Sequence, residues 1–230
     1  MDIRQSESMA EAVREGQAIY SRWVLACYDG FVYRFPTPFI WRVRTQDIAA
    51  HYQRHLSSSH LDVGVGTGLF LDRANFPTPQ PRIALLDLNP NSLAVTAQRI
   101  VRYRPSVHQA NVLDPQSVAD SGLTRSFESI GLNYLLHCLP GDMSHKAVVF
   151  DNLRPYLASG GVLFGTTLLH SPAQQNALSR RLMSFYNRKG VFHNTSDTED
   201  RLQTALADRF DNYELSVQGC LAFFAARAPI

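Results

Sequence analysis

The chain has 230 residues, with 22 lysines and arginines against 20 aspartates and glutamates, for a net charge of +2 at pH 7. Its length and its hydrophobic fraction of 45% predict one globular unit with a sizeable core. The near-neutral balance argues against nucleic acid as a partner. Three cysteines (Cys27, Cys138 and Cys220) offer neither zinc-binding spacing nor a disulfide framework, which favours a reducing cytoplasm and no metal site.

The first third is rich in aromatic residues. Apolar spacing predicts a helix over 7–28, a break after Tyr28, and a second helix over 39–55. The first residues are polar and of mixed charge, unlike a signal peptide, and no run of about 18 apolar residues is present to cross a membrane.

Residues 61–68, Leu-Asp-Val-Gly-Val-Gly-Thr-Gly, predict a buried strand that ends in a glycine turn before a helix. Glycine tolerates positive φ and lets a ligand lie against bare backbone, and a helix N-terminus favours an anionic group. The dinucleotide fingerprint G-x-G-x-x-G would need its third glycine at Leu69, so the spacing here is G-x-G-x-G, with Asp62 two residues ahead. A tight turn without a ligand is the alternative.

A second apolar run, 82–88, contains Asp87 about 20 residues beyond the glycine turn. A carboxylate at this distance reaches ribose hydroxyls in a βαβ unit. The alternative is that Asp87 only caps the following turn, where the segment Asn89-Pro90-Asn91-Ser92 offers turn residues and an N-cap for a helix from about Leu93 to Tyr103.

A third segment, 107–114, predicts a short strand that leads into a polar loop. Asn111 and Asp114 are candidates to meet an adenine amine, and Val112 and Leu113 to pack on its ring. An ordinary loop is the alternative.

From residue 56 onward, strands and helices alternate, which predicts a parallel sheet with helices on both faces. Gly219 predicts a hairpin between the last two strands. Strands are predicted near 60–64, 83–87, 107–110, 127–132, 161–167, 212–218 and 220–226, and helices near 67–74, 91–103, 115–120, 143–156, 173–187 and 197–208. The carboxyl ends of parallel strands share one crevice where the strand order reverses, and the glycine turn, Asp87 and Asn111 all fall there.

These motifs resemble those of Rossmann-like (class I) S-adenosylmethionine-dependent methyltransferases of the small-molecule type. LDVGVGTG is similar to that superfamily's first motif and LLDLNP to its acidic second motif. ANVLD resembles its adenine loop and SIGLNYLLHCLP its fourth strand with the strand exit. The resemblance covers residues 55–167 well and implies a mostly parallel seven-stranded sheet with an antiparallel C-terminal hairpin strand. It also implies an N-terminal helical lid (1–55) over a cofactor-binding core (56–230).

The resemblance implies S-adenosylmethionine as cofactor. The cofactor-binding residues that it implies are Asp62, Gly64, Gly66, Thr67, Gly68, Asp87, Leu88, Asn89, Asn111, Val112, Leu113, Asn133 and Tyr134.

Methyl transfer mainly requires alignment and the exclusion of water, and a general base helps when the nucleophile arrives protonated. His137 is the leading candidate for that base, with packing beside the cofactor as the alternative, and His170 is the second candidate. Tyr20, Tyr28, Tyr33 and Trp41 are candidate substrate contacts, although aromatic residues there also suit the core of a lid. The expected acceptor is an oxygen or nitrogen atom of a small hydrophobic or aromatic metabolite of specialised metabolism.

Two other functions stay open on the sequence: cofactor binding without methyl transfer, and nicotinamide-dependent oxidation. Nucleic-acid amino-methyltransferases carry two prolines after the residue equivalent to Asn133, and here Tyr134 and Leu135 follow it. We expect a cytoplasmic monomer or homodimer with a small-molecule acceptor.

Overall fold

The computed structural model describes residues 39–124, 126–171 and 174–228. The strands are β1 Ser59–Val63, β2 Arg82–Asp87, β3 Ser106–Gln109, β4 Phe127–Asn133, β5 Leu157–Leu168, β6 Asn212–Gln218 and β7 Leu221–Arg227. The α-helices are α1 Thr45–His55, α2 Leu69–Arg73, α3 Pro90–Arg99, α4 Pro115–Asp120, α5 Met143–Lys146, α6 Val148–Leu153, α7 Ala177–Arg188 and α8 Glu199–Ala207. Short 3-10 turns cover Val101–Tyr103, Leu136–Cys138 and Arg154–Tyr156.

The seven strands form one sheet in the order β3-β2-β1-β4-β5-β7-β6. Strands β1 to β5 run parallel to one another, and β7 runs antiparallel between β5 and β6. This confirms the predicted mostly parallel sheet with its antiparallel hairpin strand. The order reverses between β1 and β4, so a crevice opens at the carboxyl ends of these two strands.

The central strands are buried on both faces because helices cover each side. In β2, Ile83 and Leu85 pack with helices α1 to α3, while the alternating Ala84 and Leu86 pack with α4, α6 and α8. A strand places successive side chains on opposite faces, and a run of apolar residues therefore serves two cores at once. By contrast, the edge strand β6 alternates between exposed and half-buried positions.

The helix predicted over 39–55 begins only at Thr45, and this part of the prediction is wrong. Trp41 and Arg42 precede the helix in an irregular segment, in which Arg42 has φ +59°. The carbonyl of Trp41 accepts a hydrogen bond of 2.9 Å from the amide of Cys220. A Cβ on Gly219 would lie 2.2 Å from that carbonyl oxygen, so the segment crosses the β6–β7 turn at a distance that only glycine permits. This tertiary contact outweighs the helical periodicity.

Several smaller boundaries also differ. The predicted helix over 143–156 is broken into α5, α6 and a 3-10 turn, α2 is shorter than predicted, α3 ends at Arg99, α7 begins at Ala177 and β5 begins at Leu157. Helix α3 begins at Pro90, because the side chain of Asn89 caps it by accepting from the amide of Asn91 at 2.8 Å. The predicted helix over 7–28, with Tyr20 and Tyr28, and the aromatic segment with Tyr33 lie outside the described residues.

Across the described part of the chain, no helix combines the length and the apolar character that crossing a membrane requires.

Candidate active site

A cleft opens at the carboxyl ends of β1 to β4, where the strand order reverses. The residues predicted to hold the cofactor all line it: Asp62, Gly64, Gly66, Thr67, Gly68, Asp87, Leu88, Asn89, Asn111, Val112, Leu113, Asn133 and Tyr134. The fold therefore gathers into one place residues that lie up to 72 positions apart in the sequence, as the parallel topology requires.

The three glycines after β1 have different tasks. All have positive φ, between +53° and +71°. A Cβ on Gly64 would lie 2.7 Å from Leu135, and one on Gly68 would lie 2.7 Å from Thr96, so these two glycines allow close packing. A Cβ on Gly66 would meet no atom within 4 Å. Gly66 therefore presents bare backbone to the open cleft, where a ligand can approach it.

Helix α3 holds the glycine loop in place. Oγ1 of Thr96 donates to the carbonyl of Gly66 at 3.2 Å, and the guanidinium of Arg99 donates to the carbonyl of Thr67 at 2.7 Å. Neither contact follows from a sequence motif. Because α2 has only five residues, the fixed backbone of the loop, rather than a long helix dipole, defines this wall.

Asp87, at the end of β2, both caps a turn and faces the cleft. Its Oδ1 accepts a hydrogen bond of 2.8 Å from the amide of Asn89. Burial raises the pKa of this carboxyl to about 6, although amides of Asn89, Gly66 and Val65 act in the opposite direction. The carboxylate thus ties the glycine loop to the start of α3 while it remains at the cleft surface.

Asp62 is the second acid of the cleft, and its pKa is raised to about 7, chiefly because it is buried. Oη of Tyr52 donates to its Oδ2 at 3.2 Å, which lowers the pKa, and the nearby charge of Asp87 raises it. No lysine, arginine or histidine is among the described residues that line the cleft. Two acids without a neighbouring cation favour a ligand that carries positive charge.

The loop after β3 forms another wall. Oδ1 of Asn111 accepts from the amide of Leu113 at 3.1 Å, and the carbonyl of Val112 accepts from Nδ2 of Asn152 at 2.8 Å. Asn152, on α6, is thus a supporting residue that no sequence motif marks. Asp114 does not line the cleft; its Oδ1 accepts from the amide of Gln116 and caps α4.

The end of β4 supplies a polar donor and a strained backbone. Oδ1 of Asn133 accepts from Oγ1 of Thr166 at 3.2 Å, while its Nδ2 is buried without a hydrogen-bond partner among the described residues. Tyr134 has φ +55°, an uncommon conformation for a residue with a side chain. Its amide donates to the carbonyl of Thr166 at 2.8 Å, and this bond helps to hold the conformation.

His137 and His170 do not line the cleft. His137 is 2% exposed, with its Nδ1 3.3 Å from the amide of Leu168. Its ring stands at 81° to that of Tyr134, with 5.8 Å between ring centroids. Burial lowers the pKa of His137 to about 3, and the charge of Lys146 acts in the same direction. The structure therefore places His137 as a buried, neutral residue that packs against Tyr134, away from the described wall of the cleft.

The other candidates are also away from the described wall of the cleft. The amide of His170 donates to the carbonyl of Asp197 at 2.7 Å, in the loop before α8. Trp41 is 3% exposed and packs at 6.3 Å from the ring of Phe192. It contributes to the core between α1, α7 and β7, and the candidate substrate contacts Tyr20, Tyr28 and Tyr33 lie outside the described residues.

The cleft fits a nucleoside with a cationic amino-acid tail. The bare backbone at Gly66 leaves room for the tail, and the unpartnered Nδ2 of Asn133 is a donor that a carboxylate or carbonyl would satisfy. The charge-assisted acceptors Asp62 and Asp87 suit an ammonium group and a ribose diol.

Comparisons with known proteins agree with this geometry. A family model described as a methyltransferase domain matches residues 61–163. Over 216 residues the chain is 38% identical to demethylluteothin O-methyltransferase from Streptomyces thioluteus, an alignment that covers 94% of this chain and 92% of that protein. It is 32% identical over 216 residues to the physcion biosynthesis cluster O-methyltransferase from Aspergillus chevalieri, covering 93% of this chain and 95% of the relative.

Solved structures share the fold at low sequence identity. The DhpI–SAH complex matches with a TM-score of 0.65 at 12% identity, covering 94% of this chain and 96% of that one. The N-methyltransferase NodS from Bradyrhizobium japonicum WM9, in complex with S-adenosyl-L-homocysteine, matches with a TM-score of 0.56 at 17% identity, covering 81% and 88%. The family model and the similarity to the relatives over most of their length show that the chain belongs to the methyltransferase-domain family. It is an S-adenosylmethionine-dependent methyltransferase.

Proposed function

We propose that the enzyme methylates a hydroxyl oxygen of a small, hydrophobic and planar metabolite. The observation that carries this proposal is the cleft itself, in which two acids and an open glycine backbone adjoin an apolar end. That end is formed by Tyr134, Leu135, Leu139, Pro140 and Val191. Several relatives that align over most of the chain are O-methyltransferases by name, which favours oxygen over nitrogen as the acceptor atom.

Different residues of the cleft would bind different parts of the cofactor. Asp87 would accept hydrogen bonds from the ribose hydroxyls, and Asp62 would attract the amino group of the methionine part. Gly66 would give that part access to backbone, and Nδ2 of Asn133 would donate a hydrogen bond to it. Val112 and Leu113 would pack on the adenine ring beside Asn111. When bound, the cofactor supplies an electrophilic methyl group on a sulfonium.

The protein contributes alignment and a dry surface rather than an obvious base. All eight histidines of the sequence are described, and none lines the cleft. Residues 1–38 contain neither histidine nor lysine. We therefore propose that the acceptor is an acidic hydroxyl, such as a phenol or enol, whose proton leaves easily. Alignment that held this oxygen about 3 Å from the methyl carbon would supply much of the acceleration.

We further propose that residues 1–55 cover the core formed by 56–230. In this arrangement Tyr20, Tyr28 and Tyr33 contribute to the acceptor pocket, because a cover over an apolar cleft presents its own apolar face. We also propose that the enzyme is a cytoplasmic monomer or homodimer. In this proposal it acts in specialised metabolism and not on nucleic acid.

The proposal is tested with labelled S-adenosylmethionine and a set of planar acceptors matched in size: phenols of graded pKa, the corresponding anilines, and saturated alcohols. We expect transfer to the phenols, with kcat/KM rising as the pKa of the phenol falls, and formation of S-adenosylhomocysteine in equal amount. The Asp87→Ala variant controls for dependence on the cofactor site. Preferred methylation of anilines or saturated alcohols would contradict the proposed acceptor.

A further inference from the structure

Five polar side chains form a continuous hydrogen-bonded chain that starts at the cleft. Oδ2 of Asp62 lies 3.2 Å from Oη of Tyr52, which lies 3.0 Å from Nε2 of His60. Nδ1 of His60 lies 2.8 Å from Oγ of Ser129, and that oxygen lies 2.7 Å from Oγ of Ser57. Asp62 is near the carboxyl end of β1, whereas Ser57 precedes the amino end of the same strand. This series of hydrogen bonds therefore runs from the cleft, at the carboxyl ends of the strands, to the opposite end of β1.

The number of protons in this chain depends on Asp62. When Asp62 is protonated, every contact is satisfied in one direction: Asp62 donates to Tyr52, and Tyr52 donates to Nε2 of His60. The proton of His60 is then on Nδ1, from which it is donated to Ser129. When Asp62 is ionised, it only accepts, and Tyr52 must donate to it. His60 then carries its proton on Nε2 and accepts from Ser129 through Nδ1. The tautomer of His60 thus follows the ionisation of Asp62.

The outer end completes both arrangements. In the first, Ser129 donates to Ser57, whose hydroxyl donates to the carbonyl of Ser59 at 3.0 Å. In the second, the hydroxyl of Ser57 donates to Ser129. Ser57 is half-buried, so this end is within reach of solvent.

We propose that Tyr52, His60 and Ser129 are positioning residues that form a proton relay, through which Asp62 exchanges its proton with solvent beside Ser57 instead of through the cleft. The inference deepens the proposed role of Asp62 as partner of the cofactor's cationic amine, and it rests on that role.

The relay balances in a single passage. The proton of Asp62 bonds to Oη of Tyr52 while the Tyr52 proton passes to Nε2 of His60. The Nδ1 proton passes to Ser129, the Ser129 proton passes to Ser57, and the Ser57 proton leaves to water. Afterwards Asp62 is ionised, the other four groups are neutral, and each contact again holds one proton.

Such a route matters because Asp62 is 7% exposed and faces the cleft, which the bound cofactor would close to solvent. With its pKa raised to about 7, the carboxyl is partly protonated near neutral pH, yet it attracts an ammonium group only when ionised. Burial lowers the pKa of His60 to about 3, so its ring stays neutral and changes only its tautomer.

The groups that face Asp62 come from its own strand and from the elements packed against it. Tyr52 approaches from α1, His60 from β1 itself and Asp87 from β2. Strand β4 presents Gly131, where a Cβ would lie 3.1 Å from the His60 ring and 3.5 Å from Oδ1 of Asp62. The side chains of the relay thus occupy space that a larger residue at 131 would restrict.

The test is the tautomer of His60, read from long-range ¹H–¹⁵N correlation spectra of ¹⁵N-histidine-labelled protein on either side of the Asp62 pKa. The signals of His60 are assigned by their loss in His60→Gln. We expect the proton on Nδ1 below the pKa of Asp62 and on Nε2 above it, with a neutral ring throughout. His137 is the internal control, because its Nδ1 accepts from the Leu168 amide and its tautomer stays Nε2–H.

Two variants separate the relay from packing. Tyr52→Phe removes the hydroxyl that joins Asp62 to His60, and Asp62→Asn removes the titrating group at nearly constant size. We expect a His60 tautomer that is independent of pH in both. An unchanged tautomer in the unmodified enzyme, or a pH-driven switch that persists in Tyr52→Phe, would overturn the relay.

Addition of S-adenosylhomocysteine below the pKa of Asp62 is expected to convert His60 to the Nε2–H form, because its ammonium group favours the ionised acid. Binding of S-adenosylhomocysteine that leaves the tautomer unchanged would contradict the coupling between cofactor and relay. If S-adenosylhomocysteine does not bind while the pH-driven switch persists, the relay stands and the proposed cofactor role of Asp62 falls.

Discussion

The amide of Asn89 donates to Oδ1 of Asp87 at 2.8 Å, which ties the acid of β2 to the turn that starts α3. The two interpretations of Asp87, as a turn cap and as a cleft carboxylate, are therefore compatible. One carboxylate fixes the local backbone and still lies on the cleft wall.

We predict that Asp87→Asn weakens binding of S-adenosylhomocysteine by about 10- to 100-fold. The amide keeps an oxygen that accepts from Asn89 but loses the charge, and hydrogen bonds to charged groups contribute about 1.5–3 kcal/mol. Titration calorimetry measures the affinity. Asp114→Asn is the matched control, since Asp114 also caps a turn but does not line the cleft. Equal affinity of the two variants would contradict the proposed role.

Gly66→Ala is expected to abolish or strongly weaken cofactor binding while the protein stays folded. A Cβ at Gly66 would project into open space, where a ligand approaches, at a φ of +53°. Gly160→Ala is the matched control, because Gly160 has φ +68° and equally open surroundings at the start of β5. The left-handed backbone conformation costs each alanine about 1–2 kcal/mol, so the midpoint temperature of thermal unfolding should fall by a similar amount in both variants. In calorimetry, only Gly66→Ala should lose binding of S-adenosylhomocysteine. If this variant kept its affinity, the ligand would not approach the backbone at residue 66.

The free energy of unfolding is expected to fall as the pH is lowered from about 6.5 towards 4. Burial lowers the pKa of His51 and His55 to about 4, and that of His60 and His137 to about 3. The unfolded chain binds these protons from pH 6.5 downward and the folded chain does not, so acid favours unfolding.

Asp62 and Asp87 act in the opposite direction over the same range. Their pKa values are raised to about 7 and about 6, so the folded state binds protons that the unfolded state releases down to about pH 4. Because four histidines contribute more to the pH dependence than two acids do, the free energy of unfolding should be lower at about pH 5 than at pH 7. Urea denaturation at the two pH values measures this difference.

The variant His55→Leu isolates one histidine of this group. Nε2 of His55 is buried without a hydrogen-bond partner among the described residues, so replacing the ring breaks no hydrogen bond at this atom. The difference between the two urea midpoints should narrow in this variant. An unchanged difference would exclude His55 as a source of the acid sensitivity.

Lys146→Met is expected to destabilise the fold by about 3–5 kcal/mol, because it leaves the charge of Asp197 buried alone. The side chains of Lys146 and Asp197 are fully buried and form an ion pair, and Nζ of Lys146 also donates to the carbonyl of His193 at 2.8 Å. The double variant Lys146→Met, Asp197→Leu should recover much of this loss in urea denaturation. A single variant as stable as the parent would show that the pair contributes nothing.

Part of this site could be predicted from sequence because its signals are local. Asp62 lies near the end of β1 and the glycines follow that strand, Asp87 ends β2, and Asn111 follows β3. Parallel pairing brings strand ends together whatever the side chains elsewhere. The same logic gave the hairpin at Gly219, since a glycine between two apolar runs specifies a turn.

Contacts between distant elements carry no such local signal. Nothing near Arg99 or Asn152 in the sequence shows that each holds a carbonyl of the cleft from 32 and 40 positions away. Likewise, Trp41 and Val43 satisfy helical periodicity, but this segment is irregular because it crosses the β6–β7 turn at Gly219.

The sequence by itself determined the alternation of strands and helices and the residues that line the cleft, because burial periodicity and glycine turns are properties of short segments. Only the tertiary structure decided that His137 lies buried behind Tyr134, and that Tyr52 joins His60 to Asp62. The direction in which a side chain points at the end of a strand depends on which distant elements pack against it.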